Sequence, residues 1–125
     1  MSGIQSFDNI GIAVRDVAKS ADWYTRFGLT QEWADEGQAW LTAPGVALYL
    51  FRAVGAAQAP RSPDLTNNPP GIDHLSFAVT NLDETDAELA RNGIQAERPP
   101  ADQEWGARAA LYRDPDGNCI WLLQR

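Results

Sequence analysis

The sequence predicts an α+β domain of 125 residues, built from two tandem βαβββ modules that form a curved mixed sheet with a concave cleft. Two observations carry that expectation. The first is an internal repeat. Asp8-Asn9-Ile10-Gly11-Ile12-Ala13-Val14 aligns with Asp73-His74-Leu75-Ser76-Phe77-Ala78-Val79 at an offset of 65, and five of the 23 pairs from Asp8 to Thr30 are identical. Further on the offset becomes 72, where Gly45-Val46-Ala47-Leu48-Tyr49-Leu50 faces Gly117-Asn118-Cys119-Ile120-Trp121-Leu122. The second is that each copy reads strand, helix, strands. A ferredoxin-like sandwich has a similar order of elements, but one copy's strands would nearly use it up.

The elements follow in order. Phe7 to Val14 alternates and is rich in β-branched residues, so it reads as a strand. Asp16 can cap the next helix, which runs to about Phe27 and stops at Gly28. Leu29 to Asp35, Gln38 to Thr42 and Val46 to Arg52 read as three strands. In the second copy Asn81 and Glu84 have capping-box spacing, ahead of a helix to about Asn92 that Gly93 stops. Ile94 to Arg98, Arg108 to Tyr112 and Cys119 to Leu123 are the matching strands. Asp114-Pro115-Asp116-Gly117-Asn118 is a tight turn. Module one is thus expected at about residues 5–52 and module two at about 71–125, joined by a linker or functional loop at 53–70 that is rich in Ala, Pro and Asn.

Composition narrows the function classes. A net charge of −7 argues against a nucleic-acid partner, because phosphate binding needs a basic face. It suits solubility, and it would steer cationic or neutral small molecules. No apolar run approaches the ~18 residues of a membrane span, and the first eight residues lack a signal-peptide pattern. Cys119 is the single cysteine, so no internal disulfide can form; that fits a reducing compartment, the cytoplasm.

Side chains alternate across a strand. Ile10, Ile12 and Val14 form the bulky side of the first strand and should meet the helix, with Leu75, Phe77 and Val79 as counterparts. Asn9, Gly11 and Ala13, and likewise His74, Ser76 and Ala78, face the other way. That face also takes Tyr49 and Phe51, then Cys119, Trp121 and Leu123. Small residues beside large aromatics suggest a hollow, the default form of a ligand site. Asp8 and Asp73 are sent to the opposite face by the same alternation. Trp23 reads as helix–sheet packing.

Three motifs in order cover nearly the whole chain. They are Phe7 to Val14 with Asp16 and Trp23-Tyr24 before Phe27-Gly28-Leu29; Gly71 to Val79; and Trp105-Gly106-Ala107-Arg108 with Tyr112-Arg113-Asp114-Pro115-Asp116-Gly117-Asn118. Through them the chain resembles the vicinal oxygen chelate superfamily of glyoxalase, bleomycin-resistance and extradiol-dioxygenase proteins. Metal-dependent members take one ligand from each of four strands. The resemblance puts Asn9, Tyr49, His74 and Trp121 at those positions, and only His74 is a good donor. The reading is therefore no metal and no cofactor.

The resemblance then implies a bleomycin-resistance type of protein. It would bind a planar or cationic aromatic, antibiotic-like molecule through Asn9, Tyr49, Phe51, His74, Ser76, Trp105, Arg108 and Trp121. Arg108 is included because that position often faces the cleft in the superfamily. A homodimer completing the groove is also implied. The competing reading is a glyoxalase-like lyase or isomerase with His74 as general base and Tyr49 or Arg108 steadying an anionic oxygen. A regulatory or scaffold module that binds no small molecule is a third.

Overall fold

In the computed structural model, which describes residues 3–54 and 70–125, the chain divides into two compact units, residues 1–59 and 60–125. Most of the loop expected at 53–70 lies outside the described residues. Module one runs β1 (Ile10–Val14), α1 (Val17–Phe27), β2 (Thr30–Ala34), β3 (Gln38–Ala43) and β4 (Val46–Arg52). Module two runs β5 (His74–Ala78), α2 (Leu82–Arg91), β6 (Arg98–Asp102), β7 (Arg108–Arg113) and β8 (Cys119–Gln124). Each module has its own four-stranded mixed sheet, in the order β1-β4-β3-β2 and β5-β8-β7-β6.

The repeat extends to the register. β1 pairs parallel to β4 with Gly11 opposite Tyr49, and β5 pairs parallel to β8 with Ser76 opposite Trp121. Those partners are the pairs the two sequence offsets equate. The parallel pair needs a long crossover, which the helix and the two intervening strands supply. The remaining pairs are antiparallel hairpins. The β7–β8 turn is built by Asp114, whose Oδ1 accepts the amides of Asp116 at 2.9 Å and Asn118 at 2.8 Å. Gly117 sits there at φ +85°, a conformation that a side chain resists.

Both helix starts are capped as the sequence implies. Asp16 Oδ1 accepts the Lys19 amide at 3.0 Å, and Asn81 Oδ1 accepts the Glu84 amide at 3.1 Å. A further free amide at the start of α2, that of Leu82, donates to Gln124 Oε1 of β8 at 2.7 Å, which ties helix to sheet. Val17, Ala21 and Tyr24 of α1 are buried, as are Leu41, Leu48 and Leu50 of the sheet it covers. In module two Leu82, Leu89, Tyr112, Ile120 and Leu122 are buried. Trp23 is buried on α1, edge-on to Tyr24 and stacked on Phe27 of the same helix with centroids 4.8 Å apart.

Three expectations are corrected. The first strand begins at Ile10, and Phe7 lies outside it, 66% exposed. The helices pack over β2, β3 and β4, and over β6, β7 and β8, so Ile10, Ile12, Leu75 and Phe77 on β1 and β5 are only half-buried. The sixth strand is Arg98–Asp102, not Ile94–Arg98. Ile94 is buried at the end of α2, where its amide donates to Leu89 O at 2.8 Å. The strand instead accommodates Pro99 and Pro100, because β6 is a sheet edge and its register shifts between Arg98 and Ala101.

Candidate functional site

Partners on neighbouring strands share a face. In module two one row crosses the sheet as Ser76, Trp121, Leu111 and Arg98. The adjacent row is His74, Cys119 and Arg113. The opposite face bears the helix: Tyr112 donates its hydroxyl to Asp86 of α2 at 2.8 Å, and Gln124 holds Leu82. Ser76 and Trp121 therefore face away from the helix, as the alternation implied.

On that face lies a recess of about 580 Å³. Ser76, Trp121 and Leu123 come from the paired strands β5 and β8, with His74 and Asp73 at the start of β5. Arg98 enters from β6, Gln103 and Trp105 from the loop after it, and Arg125 from the end of β8. That loop is a tight turn. The Gln103 amide donates to Ala107 O at 2.8 Å and the Gly106 amide to Gln103 O at 3.1 Å. Gly106 takes φ +99° there, and the neighbouring Trp105 is 56% exposed. The guanidinium of Arg125 lies 5.6 Å from the Trp105 ring centroid, a cation–π contact.

His74 Nδ1 is 2.7 Å from Asp73 Oδ2. A carboxylate only accepts, so Nδ1 carries the proton and Nε2 is left as the acceptor or base in the neutral ring. Asp73 precedes β5, so alternation does not govern it. Its placement beside His74 corrects the expectation that it turns to the opposite face. Module one repeats the device: Asn9 Nδ2 donates to Asp8 Oδ2 at 2.7 Å.

The Glyoxalase/Bleomycin resistance protein/Dioxygenase superfamily model matches residues 6–122. The chain belongs to that superfamily. A glyoxalase family protein from Enterococcus faecalis is similar in structure, with a TM-score of 0.77 and 19% identity over 97% of this chain and 98% of that one. So is a glyoxalase/dioxygenase from Nostoc punctiforme, with a TM-score of 0.77 and 22% identity over 98% and 92%. Among curated proteins, the uncharacterized protein YraH of Bacillus subtilis (strain 168) is 45% identical over 51 residues. That match takes in 40% of this chain and only 40% of YraH.

The superfamily's metal-ligand positions do not fit an ion here. Asn9 is tied to Asp8, and the Tyr49 hydroxyl donates to Gln38 Oε1 at 2.6 Å. Trp121 has no free lone pair. Among the described residues no three His, Cys, Asp or Glu side chains are grouped to hold a metal.

The structure gathers four of the expected site residues, His74, Ser76, Trp105 and Trp121, into the recess. Tyr49 and Phe51 lie on the equivalent face of module one, stacked at 5.6 Å, with Trp40 tilted 6.2 Å from Tyr49. Gly11 lies against them, where a Cβ would meet the Phe51 ring at 3.4 Å, an ordinary van der Waals contact. Arg108 is a correction. Its register partner Gln124 is on the helix side, and it forks onto Asp83 of α2, Nη2 at 2.8 Å and Nε at 3.1 Å, while Nη1 reaches Asp102 at 3.2 Å. These bonds hold the Asp83 carboxyl below its usual range. Arg108 therefore braces α2 against the β6–β7 hairpin and does not line the recess.

Arg98, Gln103 and Arg125 were not among the expected residues. Arg125 was within reach, because 121, 123 and 125 alternate onto one face. Arg98 was hidden by the misplaced sixth strand. Cys119 is buried, and burial pushes its thiol up from the ordinary value. The native protein is therefore expected to react with a thiol-specific disulfide reagent at neutral pH roughly tenfold or more slowly than the urea-unfolded chain. Equal rates would show an accessible thiolate.

Proposed function

We propose that module two binds a flat aromatic small molecule in this recess, without a metal ion. The observation that supports the reading best is the half-buried Trp121 beside exposed Trp105 on an open recess, with His74, Ser76 and Gln103 at its margin. Indole faces take planar rings by stacking, and a few polar groups fix orientation. Two relatives in the superfamily do not set the ligand, since the likeness to them is one of fold. The test is titration of tryptophan fluorescence with a panel of planar compounds, in the natural chain and in Trp121→Ala. Saturable quenching that weakens in the variant supports the reading; affinities unchanged by the substitution contradict it.

The Asp73–His74 contact favours a second reading, a lyase or isomerase in which Nε2 of His74 removes a proton. Turnover lost in His74→Gln with ligand affinity retained would select it over simple binding.

A cytoplasmic homodimer is part of the proposal. Edge strand β2 is exposed along its length and carries Trp33, 45% exposed; Phe51 is 38% exposed. An uncovered edge with aromatic side chains invites pairing with another chain. Sedimentation velocity at micromolar concentration should show a species of twice 13.7 kDa, and a purely monomeric boundary would rule the dimer out.

A further inference from the structure

The charge in the recess runs against the charge of the chain. The protein as a whole carries −7, yet the recess lining holds two guanidiniums, Arg98 and Arg125, and one carboxylate, Asp73. Asp73 is already engaged by His74 at 2.7 Å. Two other arginines of module two are matched by carboxylates, Arg108 by Asp83 and Asp102 and Arg113 by Glu97, while Arg91 ends α2, outside the recess lining. Among the described residues Arg98 has no such partner, and the contact found for Arg125 is the Trp105 ring.

The two signs are also separated in space. His74 opens β5, at one edge of the sheet, with Asp73 just before it, and Arg98 lies on β6, at the other edge. Three strand spacings of ~4.8 Å and a two-residue offset along the strands put His74 and Arg98 roughly 16 Å apart, with Trp121 one strand in from the β5 edge and about 10 Å from Arg98. An arginine side chain reaches ~6–7 Å. A two-ring ligand lying on Trp121 would then present its far edge to Arg98, which is level with Trp121 in the register, while Arg125 stands further along β8 against Trp105. Guanidinium is planar and presents parallel N–H donors, which match the two oxygens of a carboxylate.

We infer that the recess selects an aromatic carboxylic acid, its ring over Trp121 and its carboxylate on Arg98, with Arg125 adding to the positive charge of the lining. This rests on the proposed binding function and narrows it. It also reverses the cationic ligand suggested by the overall charge, because the local lining decides what is bound once the ligand has arrived.

Isothermal titration calorimetry with three matched probes tests it: 2-naphthoate, 2-naphthamide and 2-naphthylmethylammonium. The naphthoate is expected to bind at least tenfold more tightly than the amide, and the ammonium probe more weakly than both. Arg98→Gln should reduce naphthoate affinity about tenfold, towards that of the amide, and leave the amide unchanged. Arg98→Lys should retain part of the preference, and Arg125→Gln should weaken naphthoate severalfold. Equal affinities for the three probes, or a preference for the ammonium, overturn the acid inference and leave planar binding standing. Binding by none of the three overturns both.

Discussion

Replacing Ile120 with alanine is expected to lower the free energy of unfolding by about 2–5 kcal/mol. Ile120 is fully buried near the start of β8, an inner strand of the sheet, between Leu75 of β5 and Tyr112 of β7 on the helix face. Its equivalent in module one is Leu48, also fully buried, between Ile10 and Leu41. Truncation at either place removes three heavy atoms from a packed layer and leaves a cavity that a sheet clamped on both sides cannot close. Small domains are only ~5–15 kcal/mol stable, so the loss is a large fraction of the total. Leu48→Ala should fall in the same range, because the repeat puts both residues, fully buried, at equivalent positions in register between two apolar or aromatic neighbours. Urea titration followed by circular dichroism measures both. A change under about 0.5 kcal/mol at either site, the range of surface substitutions, would show that these rows are not the core.

Trp121→Ala is expected to weaken the binding of a planar ligand by about tenfold to a hundredfold, ~1.4–2.8 kcal/mol. The ring supplies apolar area to the recess, and stacking adds ~0.5–1.5 kcal/mol beyond burial. The half-buried Trp121 sits on the face away from α2, so its loss should leave folding close to intact. Trp121→Phe should recover part of the affinity, since a smaller π-face remains. A purely structural role for Trp121 predicts the reverse pattern, a lowered stability and an affinity unchanged in the folded fraction.

What could be read from the sequence was what periodicity carries. Two offsets, 65 and 72, placed Tyr49 and Trp121 at equivalent positions, and the register of β1 on β4 and β5 on β8 agrees residue by residue. Alternation put Ser76 and Trp121 on the face away from the helix. The misreadings fall where a local pattern meets a tertiary one. Ile94 looks like a strand residue because it is apolar, but it is buried as the lid of the α2 terminus. Pro99 and Pro100 look like strand breakers, yet an edge strand tolerates them. Asp73 was assigned to a face by strand alternation although β5 begins one residue later. Arg108 belongs to the helix face through Gln124 and Asp83, neither of which is near it in sequence. The recess's positive charge was masked by averaging over a chain with 17 acidic and 10 basic residues.

The most direct test of ligand binding at the module-two recess is the indole N–H region of a ¹⁵N-tryptophan NMR spectrum, recorded with and without saturating 2-naphthoate. The chain has five tryptophans, and single Trp→Phe variants assign their signals. Trp105 and Trp121 line the recess; Trp23 is buried against Tyr24 and Phe27, and Trp33 and Trp40 belong to module one. Large shifts of Trp105 and Trp121 with Trp23 unmoved are the predicted result. Shifts confined to Trp33 and Trp40, or a saturable ligand that moves neither Trp105 nor Trp121, would contradict it.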